Sequence, residues 1–115
     1  MSRPSDGGFT VVVVNGDVDV HSAPHLRDAL LELIEDGNGE AVLDLDAVSF
    51  IDSTGLGALV SAYGAARDKG GALPLVCTSV RTLRLFAITG LDAVFDVHPS
   101  VDDALKQLAA AASDR

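Results

Sequence analysis

Apolar positions in this chain fall into short blocks, and their spacing switches repeatedly between strand-like and helix-like periods. Phe9 to Val14 is continuous and dominated by valine, the pattern of a strand buried on both faces. Asn15-Gly16-Asp17 interrupts it as a turn or bulge, and Val18 and Val20 extend the pairing briefly. Ser22 is placed to cap a helix that has Pro24 in its first turn. Leu26, Ala29, Leu30, Leu33 and Ile34 then recur at i, i+3, i+4, i+7 and i+8, giving that helix one apolar face. Asp36-Gly37-Asn38-Gly39 ends it through residues that tolerate positive φ.

Ala41 to Leu45 reads as a second strand, and Asp46 to Phe50 leads from it into Ile51-Asp52-Ser53-Thr54-Gly55-Leu56-Gly57. The helix beyond Ser53 carries Leu56, Leu59, Val60 and Tyr63 inward and runs to about Lys69, where Gly70-Gly71 stops it. Leu73 to Cys77 is a third strand, and Pro74, which cannot donate to a ladder, favours an edge or a bulge there. Ser79 opens a helix with Val80, Leu83, Phe86 and Ala87 inward, and Gly90 stops it. Val94 to Val97 is a short strand, and Ser100 caps a last helix bearing Val101, Ala104, Leu105, Leu108 and Ala112. This alternation predicts an α/β fold: one domain, a mixed but mostly parallel sheet, about four helices and right-handed crossovers. Sites in such folds favour the ends of strands and the helix starts beyond them, which is where Ser53 stands.

At 115 residues the chain is long enough for one domain and too short for two. Aromatic residues are only 4%, so the core must be built from Val, Leu, Ile and Ala. A net charge of −9 argues against nucleic acid or an anionic membrane as partner. It suits solubility and is compatible with a basic protein partner. Cys77 is the only cysteine, so no internal disulfide forms, and a reducing, cytoplasmic location is the simplest inference. No apolar run approaches the ~20 residues of a membrane span. Residues 1–8 read as a disordered leader and 9–115 as the folded domain; Pro4, Gly7 and Gly8 argue against a regular strand there. Four strands are therefore expected, or five if such a strand forms, with an edge either uncovered or used for weak self-association as a homodimer.

A serine at a helix start sits beside unpaired N–H groups and the positive end of the dipole, a place suited to a phosphate. Ser53 is thus a candidate phosphoacceptor, with a plain N-cap as the competing structural reading. A hydrolase nucleophile would need a base and the Gly-x-Ser-x-Gly elbow, and Asp52-Ser53-Thr54-Gly55 does not supply it. A nucleotide-binding P-loop would need a lysine near this turn. A receiver-type phosphoaspartate at Asp44, Asp46 or Asp52 would need a lysine after a late strand, and none can be assigned. Two glycines in a first helical turn cost roughly 1 kcal/mol each relative to alanine, so Gly55 and Gly57 require tight packing or close approach of a partner. His21 and His25 lack a third metal ligand, Cys77 reads as a half-buried small residue, and for Arg81 and Arg84 a solvated helix face is the default, with contact to a partner or a phosphate as the alternative.

The flanking pattern resembles the STAS-domain family of anti-sigma factor antagonists over about residues 9 to 108. It comprises Gly16-Asp17-Val18-Asp19, the helix start Ala23-Pro24-His25-Leu26, Leu43-Asp44-Leu45 and Phe50 to Gly57, followed by Gly70-Gly71 and Arg84-Leu85-Phe86 with Gly90-Leu91. The resemblance implies a bacterial partner-switching module in transcription regulation and no enzyme, with no catalytic, cofactor or metal site. The unmodified protein would bind an anti-sigma factor that is also a serine kinase, freeing a sigma factor. Phosphorylation at Ser53 would end that binding, and a serine phosphatase would reset it. By the same matching, Asp19 and Asp52 flank the acceptor, while Thr54, Gly55, Leu56 and Gly57 belong to the partner-binding helix. Two other functions fit the family: a STAS scaffold or transporter-associated module that is not phosphorylated, and a nucleotide-sensing STAS domain.

Overall fold

The strands lie in the sheet in the same order as in the chain, β1-β2-β3-β4-β5. A computed structural model describes residues 2–4, 9–37 and 40–113. Among these, β1 (Ser2–Pro4) pairs antiparallel with β2 (Thr10–Val18), while β3 (Ala41–Ile51), β4 (Leu75–Val76) and β5 (Val97–His98) are added in parallel. The connecting helices are α1 (Ala23–Asp36), α2 (Ser53–Asp68) and α3 (Val80–Thr89), and α4 (Val101–Ser113) follows β5. Right-handed crossovers between strands laid down in one direction place all their helices on one face. Leu26, Leu30 and Ile34 of α1, Leu56 and Leu59 of α2 and Phe86 of α3 accordingly share one core with Val12, Val14, Leu43, Leu45 and Leu75. The opposite face, formed by Val11, Val42 and Val76, is covered by Ala104 and Leu108 of α4.

Several local expectations change. Ser2–Pro4 is a strand, with Ser2 opposite Val12 and Pro4 opposite Thr10, so the sheet has five strands where a disordered leader was expected. An outermost strand tolerates proline because a ladder is needed on one side only. Met1 and the rest of that leader, residues 5–8, lie outside the described residues, as do Asn38 and Gly39 of the expected turn after α1. Pro74 is not at an edge: it precedes the interior strand β4 and is buried, its carbonyl accepting from Leu43 N–H (3.0 Å). β4 and β5 are shorter than the strands expected at Leu73 to Cys77 and Val94 to Val97, because the chain pairs only at Leu75–Val76 and Val97–His98, and Leu91–Ala93 forms a 3₁₀ turn.

Helix ends also differ in detail. Gly37 closes α1 at φ −108°, without the left-handed conformation, whereas Gly90 closes α3 at φ 79°. The inward face of α3 is Thr82 and Phe86, and Val80, Leu83 and Ala87 are exposed. Val60 likewise faces out, and small residues (Ala58, Ala62, Ala66) pack beside Leu56 and Leu59 on the buried face of α2. These alanines let α2 lie close to α1, and its thin side chains are compensated by Tyr63, Phe95 and Phe86, whose rings meet edge to face at 5.6 and 5.4 Å.

Candidate functional site

The strands β2 and β3 end together, with Val18 opposite Ile51, and the sequence then turns into α2. Asp52 holds that turn. Its backbone is extended (φ −107°, ψ −173°), its N–H donates to the Val18 carbonyl (3.1 Å), and its carboxylate accepts from Gly55 N–H (2.9 Å). Its carbonyl accepts the first helical bond, from Leu56 N–H (2.9 Å). Asp52 is therefore the N-cap, and Ser53 is the first residue of the helix. Ser53 and Thr54 are both exposed, and among the described residues neither hydroxyl has a hydrogen-bond partner.

The two glycines have opposite surroundings. A Cβ on Gly55 would lie 2.6 Å from the Val18 carbonyl oxygen and 2.8 Å from side-chain carbons of Val18 and Ile51. The first turn of α2 thus rests directly on the β2 backbone, which only glycine allows. A Cβ on Gly57 would meet nothing within 4 Å. Gly57 faces a cavity of about 310 Å³ between α1 and α2, which Pro24, Arg27, Thr54 and Ser61 also line. Leu56 is 6% exposed and belongs to the core, so its part in this helix is to anchor it.

Asp19 lies one residue beyond Val18, at the same end of the sheet as Asp52. Its carboxylate accepts from the N–H groups of His21 (2.9 Å) and Ser22 (3.1 Å). These bonds, first that of Ser22 and then that of His21, hold it below the usual carboxylate range, so Asp19 is an anion at neutral pH. Ser22 does not cap α1: its hydroxyl accepts from Asp19 N–H (3.0 Å) and donates to the Asp17 carbonyl (2.8 Å). Among the described residues the site so assembled contains the free hydroxyls of Ser53 and Thr54, the Asp52 carboxylate with Asp19 at the same end of the sheet, and a helix start whose Ser53 and Thr54 N–H groups have no backbone acceptor.

Other sequence candidates lie elsewhere. His21 and His25 are exposed, and no group of three His, Cys, Asp or Glu residues is placed to hold a metal among the described residues. Cys77 is buried on the far side of β3, and desolvation pushes its thiol up from the ordinary value. Arg27 and Ser61 were not singled out from sequence, although the spacings Pro24-x-x-Arg27 and Gly57-x-x-x-Ser61 place each pair on one helix face.

The STAS domain family profile matches residues 1–104. The chain is 43% identical over 86 residues to the anti-sigma-B factor antagonist of Bacillus subtilis (strain 168), spanning 75% of this chain and 78% of that protein. It is 35% identical over 94 residues to the anti-sigma-B factor antagonist of Staphylococcus aureus (strain NCTC 8325 / PS 47), spanning 82% and 87% respectively. Its structure is similar to a crystal structure of an anti-sigma factor antagonist from Mycobacterium paratuberculosis, with a TM-score of 0.83 and 33% identity over 94% of this chain and 91% of that one.

Proposed function

The chain belongs to the STAS domain family, and we propose that it is an anti-sigma factor antagonist switched by phosphorylation at Ser53. The unmodified form binds an anti-sigma factor that is a serine kinase, and the bound sigma factor is released. The observation that carries this reading is the free Ser53 hydroxyl, exposed at the first position of α2 because Asp52 has taken the cap. The names of the two curated relatives support the antagonist role.

In the transfer step the Ser53 oxygen attacks the γ-phosphorus of ATP held by the kinase. A phosphorus–oxygen bond forms, the bridging bond to the β-phosphate breaks, ADP leaves, and the hydroxyl proton passes to a base on the kinase. This chain supplies only the acceptor and its placement. A phosphate at Ser53 adds about −1.5 to −2 charge next to the free N–H groups of Ser53 and Thr54, so the helix itself tolerates it. The Asp52 carboxylate already places negative charge in that turn, and Asp19 follows the paired strand at the same end of the sheet. Added bulk and charge in a desolvated contact cost several kcal/mol, and the partner lets go. Gly57 leaves the outer face of the first turn open for that partner's backbone. A serine phosphatase hydrolyses the ester and restores binding.

Incubation with the anti-sigma kinase and ATP, followed by intact-mass analysis and site mapping, tests the reading. One phosphoryl group at Ser53 is expected, with Ser53→Ala binding the kinase unmodified and Ser53→Asp binding at least about tenfold more weakly, a difference of ~1.4 kcal/mol. Modification only at other residues, or equal affinity of the two variants, overturns it.

A further inference from the structure

The face of α3 that turns away from the core differs in charge from the rest of the molecule. Helix α3 contains Arg81 and Arg84 and no acidic residue, in a chain of net charge −9. Both guanidinium groups are exposed, and among the described residues neither has an ion-pair or hydrogen-bond partner; the ion pair found there is Arg27–Asp28. Arg81, Arg84, Leu85 and Ile88 stand at i, i+3, i+4 and i+7, so they form one stripe. With Phe50 and Ile51 they line a cavity of about 240 Å³. Ile88 is 75% exposed and Phe50 48%. Single exposed apolar residues are ordinary, but two large ones rimming one cavity beside two unpaired cations form a patch of the kind that interfaces use. Phe50 and Ile51 directly precede Asp52 and Ser53, so the patch adjoins the acceptor.

We propose that this stripe of α3 is a docking surface for an acidic protein segment that inserts a bulky apolar side chain between Phe50 and Ile88. Charge complementarity selects that occupant. The two arginines attract carboxylates, while the strongly negative remainder of the chain disfavours an anionic lipid surface. The proposal rests on the partner-switching reading, since the segment would belong to the anti-sigma kinase and would bring its active site to Ser53. It differs from that reading in placing part of the affinity on α3, outside the first turn of α2.

Calorimetric titration of the anti-sigma kinase into the full chain, into R81E/R84E and into I88K tests it, with Tm measured for each and Ser53 phosphorylation followed in parallel. All three substitutions fall on exposed positions, so Tm is expected to stay within a few degrees. Binding should weaken at least about tenfold in R81E/R84E and in I88K, and the salt dependence seen with the unmodified chain should flatten in R81E/R84E. If both variants bind and are phosphorylated like the unmodified chain, the docking surface is wrong while the Ser53 switch stands. If the kinase neither binds nor modifies the unmodified chain, the switch reading falls and this proposal falls with it. Sedimentation of the chain with phosphatidylserine-containing vesicles, lost in R81E/R84E, would assign the stripe to lipid and overturn the protein partner.

Discussion

Helices α1 and α2 both start where a strand ends, and each start pairs an aspartate with a serine, yet the two serines have different fates. Before α1, Asp19 precedes Ser22 by three residues, and the aspartate and serine satisfy each other and the local backbone. Ser22 sits in a right-handed conformation (φ −95°, ψ −26°), so its hydroxyl turns back to Asp17 and Asp19. Before α2, Asp52 is adjacent to Ser53 and its extended backbone aims the carboxylate forward to Gly55. With the cap filled, Ser53 is left over. Availability of a hydroxyl thus depends on which neighbour caps the helix, more than on the presence of a serine at a helix start.

The largest effect that could break this contrast is expected from Gly55→Ala. The new Cβ would lie 2.6 Å from a backbone oxygen, which cannot rotate away, so α2 must lift from β2. Overpacking of this kind costs about 1–3 kcal/mol, and denaturant unfolding should show a loss toward the upper end. Gly57→Ala is the control, because its Cβ enters open space and helix propensity favours alanine by up to about 1 kcal/mol. A Gly55→Ala protein as stable as Gly57→Ala would show that the α2 start is not seated on β2.

A smaller effect separates the serines themselves. Ser22→Ala removes the partners of Asp17 and Asp19 backbone groups and should cost about 1 kcal/mol. Ser53→Ala should stay within about 0.5 kcal/mol of the unmodified chain, since nothing is bonded to that hydroxyl. Equal losses in chemical denaturation would erase the distinction. The smallest effect concerns pH. Because Asp19 ionises below its ordinary value of about 3.8, its stabilisation is complete above that value and is lost as pH falls through the lower, folded one. An NMR titration should find its carboxyl midpoint under the ordinary value, and a midpoint at or above it would remove Asp19 from the turn described here.

Much of this was legible in the residues. The valine run, the Leu26 to Ile34 stripe and the Asp52 to Gly57 segment gave the α/β alternation and located the acceptor, because local spacing and turn chemistry dominate there. What escaped depends on position in the sheet. Helix α3 connects two strands that pair over only two residues each, so it buries a narrow face, and periodicity alone could not tell that Val80 and Leu83 stay outside. Phe50 reads as part of an apolar strand, although β3 has run past its neighbour β4 by then, pairs there with β2 alone, and leaves it half-exposed. Gly55 and Gly57 look equivalent in sequence, and only the closeness of Val18 to one of them separates packing from openness. Pro4 misled because an outermost strand forgives a residue that an inner one would not.

The agreement between strand order and chain order bears on how the molecule is made. Each new strand adds to the outer edge of the one just completed, so none has to be threaded between two that are already joined. The first face is closed step by step, since α1, α2 and α3 arrive between the strands that they cover. Among the described residues the second face is covered by α4. Val11, Val42 and Val76 are all synthesised before Ala104 and Leu108 leave the ribosome. A growing chain therefore carries a bare valine surface until α4 emerges, and that helix acts as the latch on a sheet assembled ahead of it.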